Sequence, residues 1–194
     1  MSPRKSVQQE LTRDMIMDAA RDLFIEKGYQ QVSMRQIAKV LGYSHGAIYY
    51  HYKNKAELFY ALVEEHFNML ELELKQIMEE SLKPHEKLQS ILLGYIKFGL
   101  THQSHYEIMF LIKDEEVRNF INQGPNNTYE LFAKSVQSLC NKQLTVQEIW
   151  SIFLSLHGFV THYLRHVVGF DEVKSLAQLH VDFLLKSLSL KSKV

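Results

Sequence analysis

Between Gly28 and Ala56 the chain carries Arg35, Lys39, Lys53 and Lys55 together with His45 and His51, and no acid at all. Such a window offers donors and positive charge to an anionic partner, although a solvated face that happens to lack acids has the same composition. The spacing adds geometry. Ser44 stands where it can cap a short helix running to about Tyr50, whose exposed face would carry His45, Gly46, Tyr49 and Tyr50. A helix N-terminus directs unpaired amides and the positive end of a dipole at a phosphate, here beside the Ser44 hydroxyl. Gly46 permits close backbone approach at that point. Tyr49 and His51 can donate to phosphate oxygens, and Lys53 and Lys55 set cations where the next helix begins. A cation there is unfavourable by roughly a few tenths of a kcal/mol, so Lys55 argues for an external anion rather than for helix stability.

Other reactive groupings are sparse. His162 and His166 lie four apart and His102 and His105 three apart, both spacings compatible with zinc ligation. No H-E-x-x-H is present, and no cysteine or carboxylate cluster completes either pair. With ten histidines such pairs arise by chance. The sequence therefore predicts no metal, no cofactor and no catalytic residue, and the lone Cys140 reads as inert core.

Helical periodicity positions the anion-facing groups. Thr12, Ile16, Ala19, Ala20, Leu23 and Phe24 share one face of a first helix, with Gly28 as its stop. Ser33 and Gln36 form a capping box for a second helix, Val32 and Ile37 occupy the staple positions, and Gly42 is the stop. Its buried side would be Ile37, Ala38 and Leu41. In the third helix Ile48 and Tyr52 face inward. Asn54 caps a fourth helix from Lys55 to about Leu82, with Glu57 three residues on. Further helical stretches cover roughly 84–102, 105–122, 127–141, 145–168 and 171–189, and residues 123–127 read as the clearest loop. No strand pattern of useful length is present, so the fold is expected to be all-α with about nine helices. Two short helices joined across Leu41–Ser44 make a helix-turn-helix. Its second helix suits the DNA major groove, where each base pair displays a distinct donor and acceptor pattern.

The chain as a whole is unremarkable in charge: 22 basic against 22 acidic side chains over 194 residues. The balance is local. Residues 1–60 hold nine basic and six acidic groups, and 61–194 hold thirteen and sixteen. The longest stretch free of Asp, Glu, Lys and Arg, 149–164, is shorter than the roughly 20 apolar residues of a membrane span. Met1–Glu10 lacks the apolar core of a secretory signal, and a single cysteine suits a reducing compartment, so a cytoplasmic protein without membrane contact is expected.

The segment Thr12-Arg13…Ile16…Ala19-Ala20…Leu23-Phe24…Gly28-Tyr29…Val32-Ser33-Met34…Ile37-Ala38…Leu41-Gly42-Tyr43-Ser44…Gly46-Ala47-Ile48-Tyr49-Tyr50-His51-Tyr52…Asn54-Lys55…Glu57-Leu58 resembles the DNA-binding domain of the tetracycline-repressor (TetR) family of bacterial regulators. The resemblance implies a helix-turn-helix domain over residues 1–54 and a ligand-binding and dimerisation domain over 55–194, joined by the helix 55–82. It implies that Ser44–Tyr50 is the recognition helix, that Tyr49, His51 and Lys55 contact the DNA backbone, and that Ser33 and Arg35 lie near phosphate. Tyr43 departs from the family, which usually has a small β-branched residue there.

The last two helical stretches are apolar over more than one face. Ile149, Ile152, Phe153, Leu156, Val160, Tyr163 and Val167 form one stripe, and Trp150, Leu154 and Phe159 add surface elsewhere. A helix buried on several sides packs against its own core and something further. Two such helices from each subunit could form a homodimer interface, as in family members, whose twofold axis suits a palindromic operator in double-stranded DNA, although a monomer core would show the same breadth. Tyr95, Phe98, His102, Tyr106, Met109, Phe110, Phe132, Phe153 and His157 could line a cavity for a small, largely apolar effector of unknown identity, although a packed core shows the same stripe. The expected function is a dimeric repressor released by that effector. A scaffold or nucleoid-associated protein of the same fold, without an inducer, and a histidine-based metal protein are the alternatives.

Overall fold

A computed structural model describes residues 10–112, 124–140 and 143–190. Among these residues there are nine α-helices, two short 3-10 turns and no strand.

The N-terminal head is built from local signals. Helix α1, Arg13–Lys27, starts on Thr12, whose side chain accepts the Met15 N–H. Thr12 is thus an exposed cap rather than part of the apolar face, which is carried by Ile16, Ala20, Leu23 and Phe24. After Gly28 comes a 3-10 turn, Tyr29–Gln31. Helix α2, Met34–Leu41, has the full capping box: Gln36 N–H donates to Ser33 Oγ at 3.3 Å, and Ser33 N–H to Gln36 Oε1 at 2.7 Å. Gly42 ends it at φ +75°, a left-handed conformation that a Cβ resists. Tyr43 follows with its ring half-buried against the core. Ser44 caps α3, His45–His51, by accepting the Ala47 N–H at 3.3 Å. Asn54 caps α4, Lys55–Glu79, by accepting the Glu57 N–H at 2.8 Å. Phe24, Tyr29 and Phe59 meet edge-on or tilted with centroids 5.1–5.5 Å apart, so the core of the head is welded to α4.

Helix α4 is 25 residues long, about 37 Å at 1.5 Å per residue, and carries that core into the body. There it packs on α5 (Pro84–Thr101), α6 (Gln103–Phe110) and α7 (Gly124–Leu139). Helix α8 (Val146–Tyr163) crosses α5 closely, because a Cβ at Gly99 would stand 2.6 Å from Val160 Cγ1. A second 3-10 turn, Phe170–Val173, leads into α9, Lys174–Leu190.

Three boundaries depart from the periodicity. The expected loop at 123–127 is helical from Gly124 onward; Pro125 lies in the first turn, where a missing N–H costs no intrahelical bond. Gln123 and residues 113–122 of the expected 105–122 helix lie outside the described residues. Helix α8 stops at Tyr163 rather than near 168. Arg165 takes φ +61°, its N–H donates to Gln103 Oε1 at 2.8 Å, and its guanidinium binds both oxygens of buried Glu107 at 2.5 and 2.6 Å. Partners some sixty residues away overrule the local pattern. Helix α4 likewise ends at Glu79, short of Leu82.

Candidate nucleic-acid interface and effector cavity

Helix α3 is divided cleanly between inside and outside. Ile48 is fully buried and Tyr52 is 1% exposed, whereas Tyr49 is 42% and Tyr50 86% exposed. His45 and Gly46 at its start are exposed, as are Ser44, Ser33, Arg35 and Lys53. His51 and Lys55 are half-buried. His45 packs edge-on against Tyr49 at 4.6 Å, and Tyr50 against His51 at 5.3 Å, so the four rings form two pre-arranged pairs. No acid occurs in α3 or in the first turn of α2. Glu57, the nearest acid in sequence, accepts the Lys53 N–H at 2.7 Å and is occupied as a cap.

Two cations stitch this surface to the head. Arg13 Nη1 donates to the His51 carbonyl at 3.2 Å and its guanidinium lies 4.3 Å over the Tyr52 ring. Lys55 Nζ donates to the Tyr29 carbonyl at 2.8 Å and lies 4.0 Å over the Tyr29 ring. The sequence argument that Lys55 requires an external anion is thereby corrected: an internal carbonyl and an aromatic face offset its unfavourable place at the helix start. Arg13 was not singled out from the sequence. Its partner is 38 residues away, and no local pattern announces it.

The body contains a small apolar cavity of about 50 Å³ between α4, α5, α7 and α8. Of the nine residues expected there, Tyr95, Phe110, Phe132 and Phe153 line it. Phe98, Tyr106 and Met109 are buried in the surrounding core instead. Tyr106 Oη meets Tyr95 Oη at 2.9 Å and His157 Nδ1 at 2.5 Å, a polar chain behind the cavity wall. Burial pushes both phenols well above their ordinary pKa, so they serve as neutral hydroxyls. The expectation missed Phe67, Leu70, Leu74 and Ile77 of α4, whose apolar face reads as ordinary core, and Tyr129 of α7. It also missed Glu73, the only charged residue of the lining among the described residues, whose carboxyl pKa is raised by burial.

His102 falls elsewhere, in a polar groove with Arg21, Asp22 and His105 where α1 meets α6. Fully buried His66 of α4 lies against His105, ring centroids 4.1 Å apart. Burial lowers the His66 imidazole to about 3, with neighbouring His105 and Arg21 acting in the same sense. It lowers His105 to about 4, again assisted by Arg21. Among the described residues no group of three or more His, Cys, Asp or Glu is placed to hold a metal ion.

On the outside of α8 and α9 lie Val146, Trp150, Leu154, Leu176, Leu179 and Phe183, all exposed. Phe183 is 68% exposed and Leu179 67%. Ser155 Oγ and His180 Nε2, 3.1 Å apart, link the two helices at one point. Trp150 stacks on Phe153 at 5.2 Å and meets Tyr129 edge-on at 5.1 Å, so this outer face and the cavity share a wall. No helix among the described residues is long and apolar enough to cross a membrane.

Comparison with known proteins gives a consistent result. The bacterial regulatory proteins of the tetR family match over residues 16–62, α1 through the first part of α4. The HTH-type transcriptional regulator AcrR of Shigella flexneri is 34% identical over 111 residues, 56% of this chain and 52% of that protein. The uncharacterized HTH-type transcriptional regulator YhgD of Bacillus subtilis is 35% identical over 95 residues, 47% of this chain and 48% of its own. The matched region thus spans about half the length of these relatives. Solved structures extend the fold to nearly the whole chain. The fatty acid degradation regulator FadR from Bacillus halodurans superposes with a TM-score of 0.73 at 21% identity, covering 96% of each chain. NalD of Pseudomonas aeruginosa, the secondary repressor of the MexAB-OprM multidrug efflux pump, gives 0.65 at 25% identity over 91% of this chain and 92% of that one. FadR from Bacillus subtilis, solved in complex with stearoyl-CoA, gives 0.67 at 24% identity over 91% and 97%.

Proposed function

We propose that this member of the bacterial tetR regulatory family is a homodimeric transcriptional repressor that binds a palindromic operator and is released by a small, largely apolar effector. The observation that carries the reading is the division of α3: Ile48 and Tyr52 anchor it while His45, Gly46, Tyr49 and Tyr50 face outward from an acid-free surface. A helix so presented reads base edges in the major groove. Ser33, Arg35, Ser44, His51, Lys53 and Lys55 supply the phosphate contacts around it, which position the head without reading sequence. The six exposed large apolar side chains on α8 and α9 support a twofold pair that would cover them, since exposed apolar surface of this kind marks interaction sites. Two heads about 34–36 Å apart, or a multiple of that, then meet successive major grooves on one side of a duplex. The cavity beside Tyr95, Phe110, Phe132 and Phe153 is the effector site, and NalD, of the same fold, supports the repressor role.

The test is binding of a duplex selected from a random pool. A symmetric consensus, bound by two chains with affinity falling steeply as salt rises, is the expected outcome. Selection of asymmetric or random sequence, or binding indifferent to salt, would overturn the reading.

A further inference from the structure

The apolar cavity does not stand alone. A second, more open groove of about 520 Å³ lies between α4, α5 and the start of α9, and the two share one wall made of Glu73, Ile77 and Gly94. Their linings differ. The inner cavity is aromatic and aliphatic apart from Glu73 and Thr128, and the Thr128 hydroxyl already donates to Glu71 Oε1 at 2.8 Å. The groove is mixed: Ile77, Leu93 and Phe170 share its lining with the charged Lys97, Lys174, Glu80 and Asp171. The partition is thin. The end of the Ile77 side chain lies over Gly94, with Cδ1 3.1 Å from where a Cβ on that glycine would stand. The Ile77 side chain is thus the movable part of the shared wall.

From this juxtaposition we infer that the effector is an amphipath, entering through the groove: its apolar chain passes Ile77 over Gly94 into the aromatic cavity, and its polar head stays among Lys97, Lys174, Glu80 and Asp171. The inference rests on the cavity being the effector site and adds the ligand's class, its orientation and its gate. At about 50 Å³ the resting cavity holds only a few water-sized groups, taking roughly 10–15 Å³ for each. A chain therefore fits only when Ile77 swings aside, and the groove is where it waits. A head carrying full charge cannot follow the chain inward, because an isolated ion is too costly to desolvate there. The mixed charge of the groove, Lys97 and Lys174 with Glu73, Glu80 and Asp171, suits a head held by hydrogen bonds as well as by charge.

The probe is cis-parinaric acid, a thin polyene chain with one carboxylate, bound to the full-length protein. The single tryptophan, Trp150, stacks on Phe153 of the cavity wall, so energy transfer from Trp150 reports arrival of the chain. Decanoate should displace the probe. Decanedioate, with a carboxylate at both ends, should compete at least ten-fold less well, since one end would have to enter the apolar compartment. Gly94→Val crowds the Ile77 side chain in the shared wall, where a Cβ alone would stand 3.1 Å from Ile77 Cδ1, and should weaken the probe at least ten-fold, and Ile77→Ala should speed its association. Equal competition by the diacid, or unchanged binding by a normally melting Gly94→Val protein, overturns the inference. Unchanged association in Ile77→Ala overturns the gate even if Gly94→Val does not fold. Release of operator by decanoate is read separately by mobility shift, so loss of the repressor reading leaves the two-compartment site standing, and the reverse.

Discussion

Lys53 and Lys55 stand two positions apart and differ in what holds them. The Lys55 ammonium is bonded to the Tyr29 carbonyl, whereas the Lys53 side chain is exposed and has no partner among the described residues. Lys53→Ala should therefore leave the melting temperature unchanged and lower the slope of log K against log salt by about 0.9, one phosphate contact, as measured by anisotropy of a labelled operator. Lys55→Ala should weaken DNA binding and also destabilise the fold by about 1–2 kcal/mol, because a hydrogen bond from a charged group is lost. Equal melting of the two variants would refute the internal role of Lys55. The sequence showed the cation and its awkward position. It could not show the carbonyl 26 residues earlier that answers it. His66 and His105 make a second prediction at this scale. Unfolded, each binds a proton near pH 6.5; folded, burial keeps them neutral down to about pH 3 and 4. The unfolded state thus binds more protons in that window, and stability falls as the pH drops from about 6.5 towards 4. Calorimetry between pH 7 and 5 should show a falling melting temperature, with a shallower fall in His66→Leu.

Among the elements, the short helices were legible and some long ones were not, for a physical reason. Caps act within three or four residues, so Ser33 with Gln36, Ser44 with Ala47 and Asn54 with Glu57 announce α2, α3 and α4 in the sequence itself. The end of α8 is set by Gln103 and Glu107 of α6, which periodicity cannot see. The turn before α3 depends on Gly42 at φ +75°. Gly42→Ala should cost about 1–2 kcal/mol in urea unfolding, the penalty of a Cβ in the left-handed region. A cost near zero would mean that the turn relaxes into another conformation.

For the whole molecule, the all-α architecture and the helix-turn-helix were readable because both follow from periodicity and capping. The cavity was readable only in part, since its lining comes from α4, α5, α7 and α8, and α4 contributes residues that look like any helical core. The outer face of α8 and α9 carries the prediction at this scale. Phe183→Glu should convert a dimer into monomers by light scattering and weaken operator binding by at least ten-fold, while the helical circular dichroism stays unchanged. A dimer that survives this substitution places the twofold contact elsewhere.

The bonds from Arg13 to His51 and from Lys55 to Tyr29, with the Phe24, Tyr29 and Phe59 rings between them, clamp α1, α3 and α4 into a single block. A block so clamped can be re-aimed but not remoulded. In the proposed dimer, a message arriving along α4 would tilt the whole reading unit like the end of a lever, and the quantity it would alter is the span between twin units, not the shape of either one. Operators with one or two base pairs inserted at their centre should accordingly mimic the released state, while single-base changes within a half-site should not.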